Sequence, residues 1–180
     1  MKHFALTIIG RDRPGIVSQV TEALYQLGCN IEDSSCSILG GQFAMILIIA
    51  TPQPVEDIAV LDAAFDPLRQ TDLSIFLRAL KPGGERHATM EGDLCMISVY
   101  GADQPGIVYR VTRVLGDLQV NITDLNTKLI GSNERPVYVM MIEAMLPHGM
   151  ELQDIERPMS ALKKELAVDI SVRQIDTVEL

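Results

Sequence analysis

Gly10-Arg11-Asp12-Arg13-Pro14-Gly15-Ile16-Val17 returns 91 residues later as Gly101-Ala102-Asp103-Gln104-Pro105-Gly106-Ile107-Val108. With that spacing held fixed, 13 of the 24 positions from 10 to 33 are identical in the second copy. Unrelated segments of ordinary composition would share about one or two. The 180 residues therefore read as a tandem duplication in which a domain is about half the chain. We expect a first domain at residues 1–80, a linker at 81–92 carrying Pro82, Gly83 and Gly84, and a second domain at 93–180. Each half is near the lower size limit for a self-sufficient core.

Outward from the repeated stretch, periodicity assigns the elements. Residues 3–9 alternate Phe4, Leu6 and Ile8 against Ala5, Thr7 and Ile9, a strand that should break at Gly10. From Pro14 the spacing becomes helical, with Ile16, Val17, Val20, Leu24 and Leu27 on one face. Pro14 suits a first turn, Asp12 is placed to cap it, and Gly28 is a usual stop. Residues 30–39 and 42–50 are strands around a tight Gly40-Gly41 turn. Beyond Pro52 and Pro54, a helix with Ile58, Leu61, Phe65 and Leu68 inward precedes a strand at 72–80. The second copy repeats the order, with strands at 93–100, 121–130, 136–144 and 168–175. Its helices begin at Pro105 and around Leu152. Pro67 and Pro158 interrupt the second helical stripe of each copy, which should kink there or start later. Where the first copy has Gly40-Gly41, the second has a longer connection around residues 131–135, across which the spacing between the copies grows from 91 to 95, so the halves are not interchangeable.

A strand-helix-strand-strand-helix-strand unit predicts an α+β fold, a four-stranded antiparallel sheet with both helices on one face. The opposite face would ordinarily be polar. Residues 44–49 and 137–142 are apolar at nearly every position, which predicts that the second face is covered, by the other half or by another subunit.

Formal charge is −9, spread as −4 over residues 1–80, zero over 81–92 and −5 over 93–180. With no basic arm to neutralise phosphates, direct nucleic-acid binding is not expected. Cys29, Cys36 and Cys95 form no CxxC pair and are odd in number, which suits reduced thiols in a cytoplasmic protein. No apolar run approaches the length of a membrane helix.

Catalysis has little to stand on. His3, His87 and His148 have no Cys, Asp or Glu at metal-ligand spacing, and no P-loop, nucleophile elbow or HExxH occurs. Surface histidines, no catalytic residue, no metal and no cofactor are the expectation. The loop before each first helix is the better candidate. Gly10, Asp12, Pro14 and Gly15 could all serve local geometry alone, and Asn30, twinned by Asn121, could be turn chemistry. Yet a helix start offers N–H groups to a carboxylate. Asp12 or Asp103 could pair with an amino group, and an asparagine amide can serve either end of a zwitterion.

Strand, GxDxPGI, helix, then Asn30-Ile31 or Asn121-Ile122 entering the next strand resembles the ACT domain, a small amino-acid-binding regulatory module with a ferredoxin-like fold. The resemblance covers nearly the whole chain, once per half. Two such domains in one chain, with Gly28-Cys29-Asn30-Ile31-Glu32-Asp33-Ser34, resemble the glycine cleavage system transcriptional repressor family. That resemblance implies a non-enzymatic regulator that responds to glycine or a similar small amino acid and acts through a protein partner such as a transcription activator. It also implies a ligand site between two domains, marking Gly10, Asp12, Gly15, Ile16, Asn30 and Ile31, and Gly101, Asp103, Gly106, Ile107, Asn121 and Ile122. Two alternatives stay open: a regulatory module for a metabolic enzyme, and a ligand-free dimerisation module. Homodimerisation is expected from the two-sided apolar strands.

Overall fold

The computed structural model describes residues 1–52, 57–81, 92–132 and 135–175. Most of the expected linker, with His87, and also Pro54 lie outside the described residues. The chain forms two compact units, Met1–Arg86 and His87–Leu180.

In the first unit the order is β1 (Lys2–Arg11), α1 (Ile16–Gln26), β2 (Asn30–Leu39), β3 (Gln42–Thr51), α2 (Ile58–Ala63), α3 (Asp66–Arg69) and β4 (Leu73–Ala79). The second unit follows with β5 (Leu94–Gly101), α4 (Ile107–Asp117), β6 (Asn121–Ser132), β7 (Arg135–Met145), α5 (Leu152–Leu166) and β8 (Asp169–Ile175). All pairings are antiparallel, and the strand orders β2-β3-β1-β4 and β6-β7-β5-β8 match. Each unit is the ferredoxin-like α+β sheet-and-helix arrangement expected from the repeat.

Alternation explains which face is dry. Phe4, Leu6 and Ile8 of β1 are buried against Leu47 and Ile49 of β3 and against Ile16, Val20 and Leu24 of α1. Ile97 and Val99 of β5 meet Met140, Ile142, Ile107, Val111 and Leu115 in the same way. Each such side chain contributes about 1.5–3 kcal/mol by leaving water. Val17 departs from expectation: it is 42% exposed, at the margin of the helical face rather than in the core. Ile58, in the first turn of α2, is likewise 41% exposed.

The stripe interrupted by Pro67 is two short helices, because a proline can start α3 but cannot continue α2. Arg69 bridges the break. It pairs with Asp62, donates to Asp66 Oδ1 at 2.8 Å and to the Asp62 carbonyl at 2.9 Å, and the Asp62 bond raises its pKa. In the second unit α5 runs continuously through Pro158.

The first hairpin turns on Gly40 and Gly41, both with positive φ (58° and 76°). In the second, the added residues extend the ladder: Gly131 pairs with Pro136 and Ser132 with Arg135, two rungs beyond the pair Ile130 and Val137. Within each unit taken by itself, the sheet face away from the helices carries exposed apolar side chains. Ile9, Ile46 and Phe76 are 44%, 52% and 61% exposed there, and Tyr100, Val137 and Met141 are exposed on the corresponding face of the second unit.

Candidate functional site

Each β1–α1 type loop is built by two glycines with different tasks. A β-carbon on Gly10 would fall 2.5 Å from the Asp72 carbonyl oxygen, and one on Gly101 would fall 2.7 Å from Val168 Cγ1. Both positions must be bare for the last strand to approach. Rather than ending at Gly10, β1 pairs through it to Arg11, with Gly10 opposite both Phe43 and Leu73. Gly15 and Gly106 have room around them but sit at φ 91° and 97°, a left-handed conformation that a β-carbon disfavours.

Those two glycines are the N-caps, so α1 and α4 begin at Ile16 and Ile107, two residues later than the prolines suggested. Asp12 is not the cap. Its backbone N–H instead donates to the Gly41 carbonyl at 2.9 Å, tying the loop to the β2–β3 turn. Neither α1 nor α4 has a side-chain cap, whereas Asp57 accepts from Ala59 N at the start of α2. The first-turn N–H groups after both repeated loops therefore lack the usual side-chain oxygen. Asp12 and Asp103 are exposed, and the Ile16 and Ile107 side chains are buried in the cores of their units.

The residue between Asp and Pro was not singled out from the sequence, yet it straps each loop down. Arg13 Nη2 donates to Thr71 Oγ1 and to Gln19 Oε1, both at 2.9 Å. Gln104 Nε2 donates to the Leu166 carbonyl at 2.5 Å. Because the two copies carry different residues here, comparing them hides the position; the shared property is a long side chain with a donor at its tip.

After α1 the chain turns at Gly28, whose N–H meets the Tyr25 carbonyl while Cys29 N–H meets that of Leu24. Asn30 then pairs with Ala50 and Ile31 with Ile49, and a bulge follows before Asp33. Asn121 and Ile122 pair with Met145 and Ala144, with a bulge at the same place. In the first unit this geometry leaves an open groove of about 540 Å3 between α1 and the head of β2. Its lining includes Ser18, Glu22, Tyr25, Cys29, Asn30 and Ile31. Gly10, Asp12, Gly15 and Ile16 do not line it, so the structure brings Asn30 and Ile31 to one crevice and leaves the loop residues outside its wall. Burial pushes the Cys29 thiol pKa up, keeping it a neutral wall group.

In the second unit Tyr138 stands opposite Gly101, where the first unit has Phe43. Partial burial raises its pKa and a hydrogen bond with Thr127 lowers it, while Asp103 adds a raising contribution. His3 lies 3.3 Å from Glu32, and His148 is exposed. Among the described residues no group of three or more His, Cys, Asp or Glu side chains could hold a metal, and no helix is long and apolar enough to cross a membrane.

The ACT domain family profile matches residues 2–75 and 93–173. The chain belongs to the ACT domain family. ACT domains as a class bind small amino-acid ligands. This ACT-domain chain is 27% identical over 176 residues to the glycine cleavage system transcriptional repressor of Escherichia coli (strain K12), covering 97% of this chain and 90% of that one. A solved structure of an unknown protein from Galdieria sulphuraria superposes with a TM-score of 0.83 at 26% identity, over 97% of this chain and 99% of the other. A second solved structure, provisionally described as a glycine cleavage system transcriptional repressor, has a TM-score of 0.71 at 24% identity over 98% of both chains, and shows the shared fold. The full-length relatives that carry functional names are regulators.

Proposed function

We propose that this chain is a non-enzymatic, amino-acid-responsive regulator, a glycine-responsive repressor of the glycine cleavage system acting through a partner transcription activator in the cytoplasm. The observation that carries the reading is the match to the Escherichia coli repressor across both halves, 97% of this chain. Two features support it. The net charge of −9 favours a protein partner over direct contact with nucleic acid. The paired loops present helix starts without side-chain caps, suited to a carboxylate.

The proposed ligand positions are Gly10, Asp12, Gly15, Ile16, Asn30 and Ile31, with Gly101, Asp103, Gly106, Ile107, Asn121 and Ile122 as the second set. The glycines and isoleucines shape the backbone, while the aspartates and asparagines offer polar side chains. Exposed Ile9, Ile46 and Phe76 support a homodimer. Ligand binding would favour one state of the protein by no more than its difference in affinity between states.

Glycine has about five heavy atoms, and at roughly 1.5 kcal/mol each its binding free energy cannot exceed about 7.5 kcal/mol. The tightest dissociation constant is then about micromolar, which suits the sensing of a metabolite pool. A thermal-shift screen of the standard amino acids tests the reading. A true ligand at about 100 times its dissociation constant adds about 2.7 kcal/mol of stability, whereas no shift with any of them would leave a dimerisation module that binds nothing.

A further inference from the structure

The two units share the helix that follows each repeated loop but not the chemistry of its exposed side. Ser18 and Glu22 of α1 correspond to Tyr109 and Arg113 of α4 at the constant spacing of 91 residues. In the first unit both Ser18 and Glu22 line the groove that ends at Asn30, and Glu22 is its one charged lining residue. Glu22 has no ion pair among the described residues. Ser18 Oγ donates to the Gly15 carbonyl and Thr21 Oγ1 to the Val17 carbonyl, each at 2.9 Å. With those protons committed, both hydroxyls offer lone pairs to whatever enters. Carboxylate and hydroxyl oxygens together make the wall an acceptor surface, and the Asn30 amide at its end can donate.

In the second unit the equivalent positions carry larger side chains, one of them a cation where the first unit has Glu22. Arg113 Nη1 donates to Tyr109 Oη at 2.6 Å, and its guanidinium lies 5.9 Å from the centre of the Tyr109 ring. Asp117 Oδ2, 3.8 Å from Arg113 Nε, offsets part of the charge. The pair lies over the side of α4 that Ser18 and Glu22 leave open on α1.

We infer that the groove between α1 and the head of β2 is where this chain recognises a ligand's ammonium group, with Glu22 as the carboxylate that meets it and Asn30 as the amide for the ligand's carboxylate, and that the second unit has no equivalent site. This rests on the amino-acid-binding reading above and narrows it to one functional half. The ligand class is a small α-amino acid, whose ammonium group suits the single carboxylate of the lining and whose carboxylate suits the Asn30 amide.

Isothermal titration of the full chain with glycine, alanine and serine tests the inference. One ligand should bind per chain. Glu22→Gln should raise the dissociation constant at least about ten-fold without moving the melting temperature, because Glu22 is exposed. The double variant Tyr109→Ser with Arg113→Glu should raise the stoichiometry to two. Two ligands per wild-type chain, or an unchanged dissociation constant in Glu22→Gln, would overturn the inference while leaving amino-acid binding intact. If no standard amino acid gives heat with the wild-type chain, the broader reading fails and takes this one with it.

Discussion

Gly10 lies against Asp72 so closely that a β-carbon on it would come within 2.5 Å of the Asp72 carbonyl oxygen and 2.6 Å of Leu73 Cδ2. The residue that opens the repeated loop is thus fixed by a contact with a strand more than 60 residues further along the chain. Gly10→Ala should destabilise the first unit by about 1–3 kcal/mol, the usual cost of overpacking. Gly40→Ala, with nothing within 4 Å but φ at 58°, should cost only about 1 kcal/mol. Urea denaturation of the two variants checks the order.

The strap from Arg13 to Thr71 should matter for the loop more than for the fold. Arg13→Ala is expected to cost about 1 kcal/mol and to speed hydrogen exchange at the Asp12 amide, which is bonded to Gly41. Gln104→Ala should do the same to the second loop alone. Exchange rates read by mass spectrometry distinguish the two.

Much of the fold could be read from periodicity, because Phe4, Leu6 and Ile8 alternate and Ile16, Val20 and Leu24 recur at helical spacing, and both signals are local. Helix starts were less legible. Asp12 is a good capping residue by type, but Gly15 in a left-handed conformation takes the position, and a glycine's φ is not written in its neighbours. Arg13 and Gln104 went unnoticed because their partners lie 58 and 62 residues away. The bulges after Ile31 and Ile122 left no mark either, since the register depends on the partner strand. Asn30 and Ile31 could be picked out as a repeated pair, while Glu22 could not, because the groove it lines exists only once α1 is set against β2.

Ala167 closes α5 at φ 49° and ψ 41°, a left-handed cap without glycine. Ala167→Gly removes the steric cost and should stabilise the second unit by about 0.5–1 kcal/mol. A higher melting temperature confirms it, and an unchanged or lower one counts against the strain.

The three thiols should separate by accessibility. Cys36 is exposed, Cys29 half-buried and Cys95 buried, and burial raises the pKa of the last two above the ordinary thiol value. Iodoacetamide near neutral pH should modify Cys36 first and Cys95 only on unfolding. The raised values also set a sign. Below the ordinary thiol pKa both states keep these protons and stability is unaffected. Above it the unfolded chain ionises first, so stability falls as pH rises toward the folded-state values. Cys95→Ala should flatten that alkaline decline in melting temperature.

The most direct test is calorimetric titration of amino acids into the wild-type chain and into the double variant Asp12→Ala with Asn30→Ala. The account expects saturable binding of a small amino acid by the wild type, weakened at least about ten-fold in a variant that still melts cooperatively. Equal affinity in the two proteins, or no heat from any amino acid in the wild type, would contradict it.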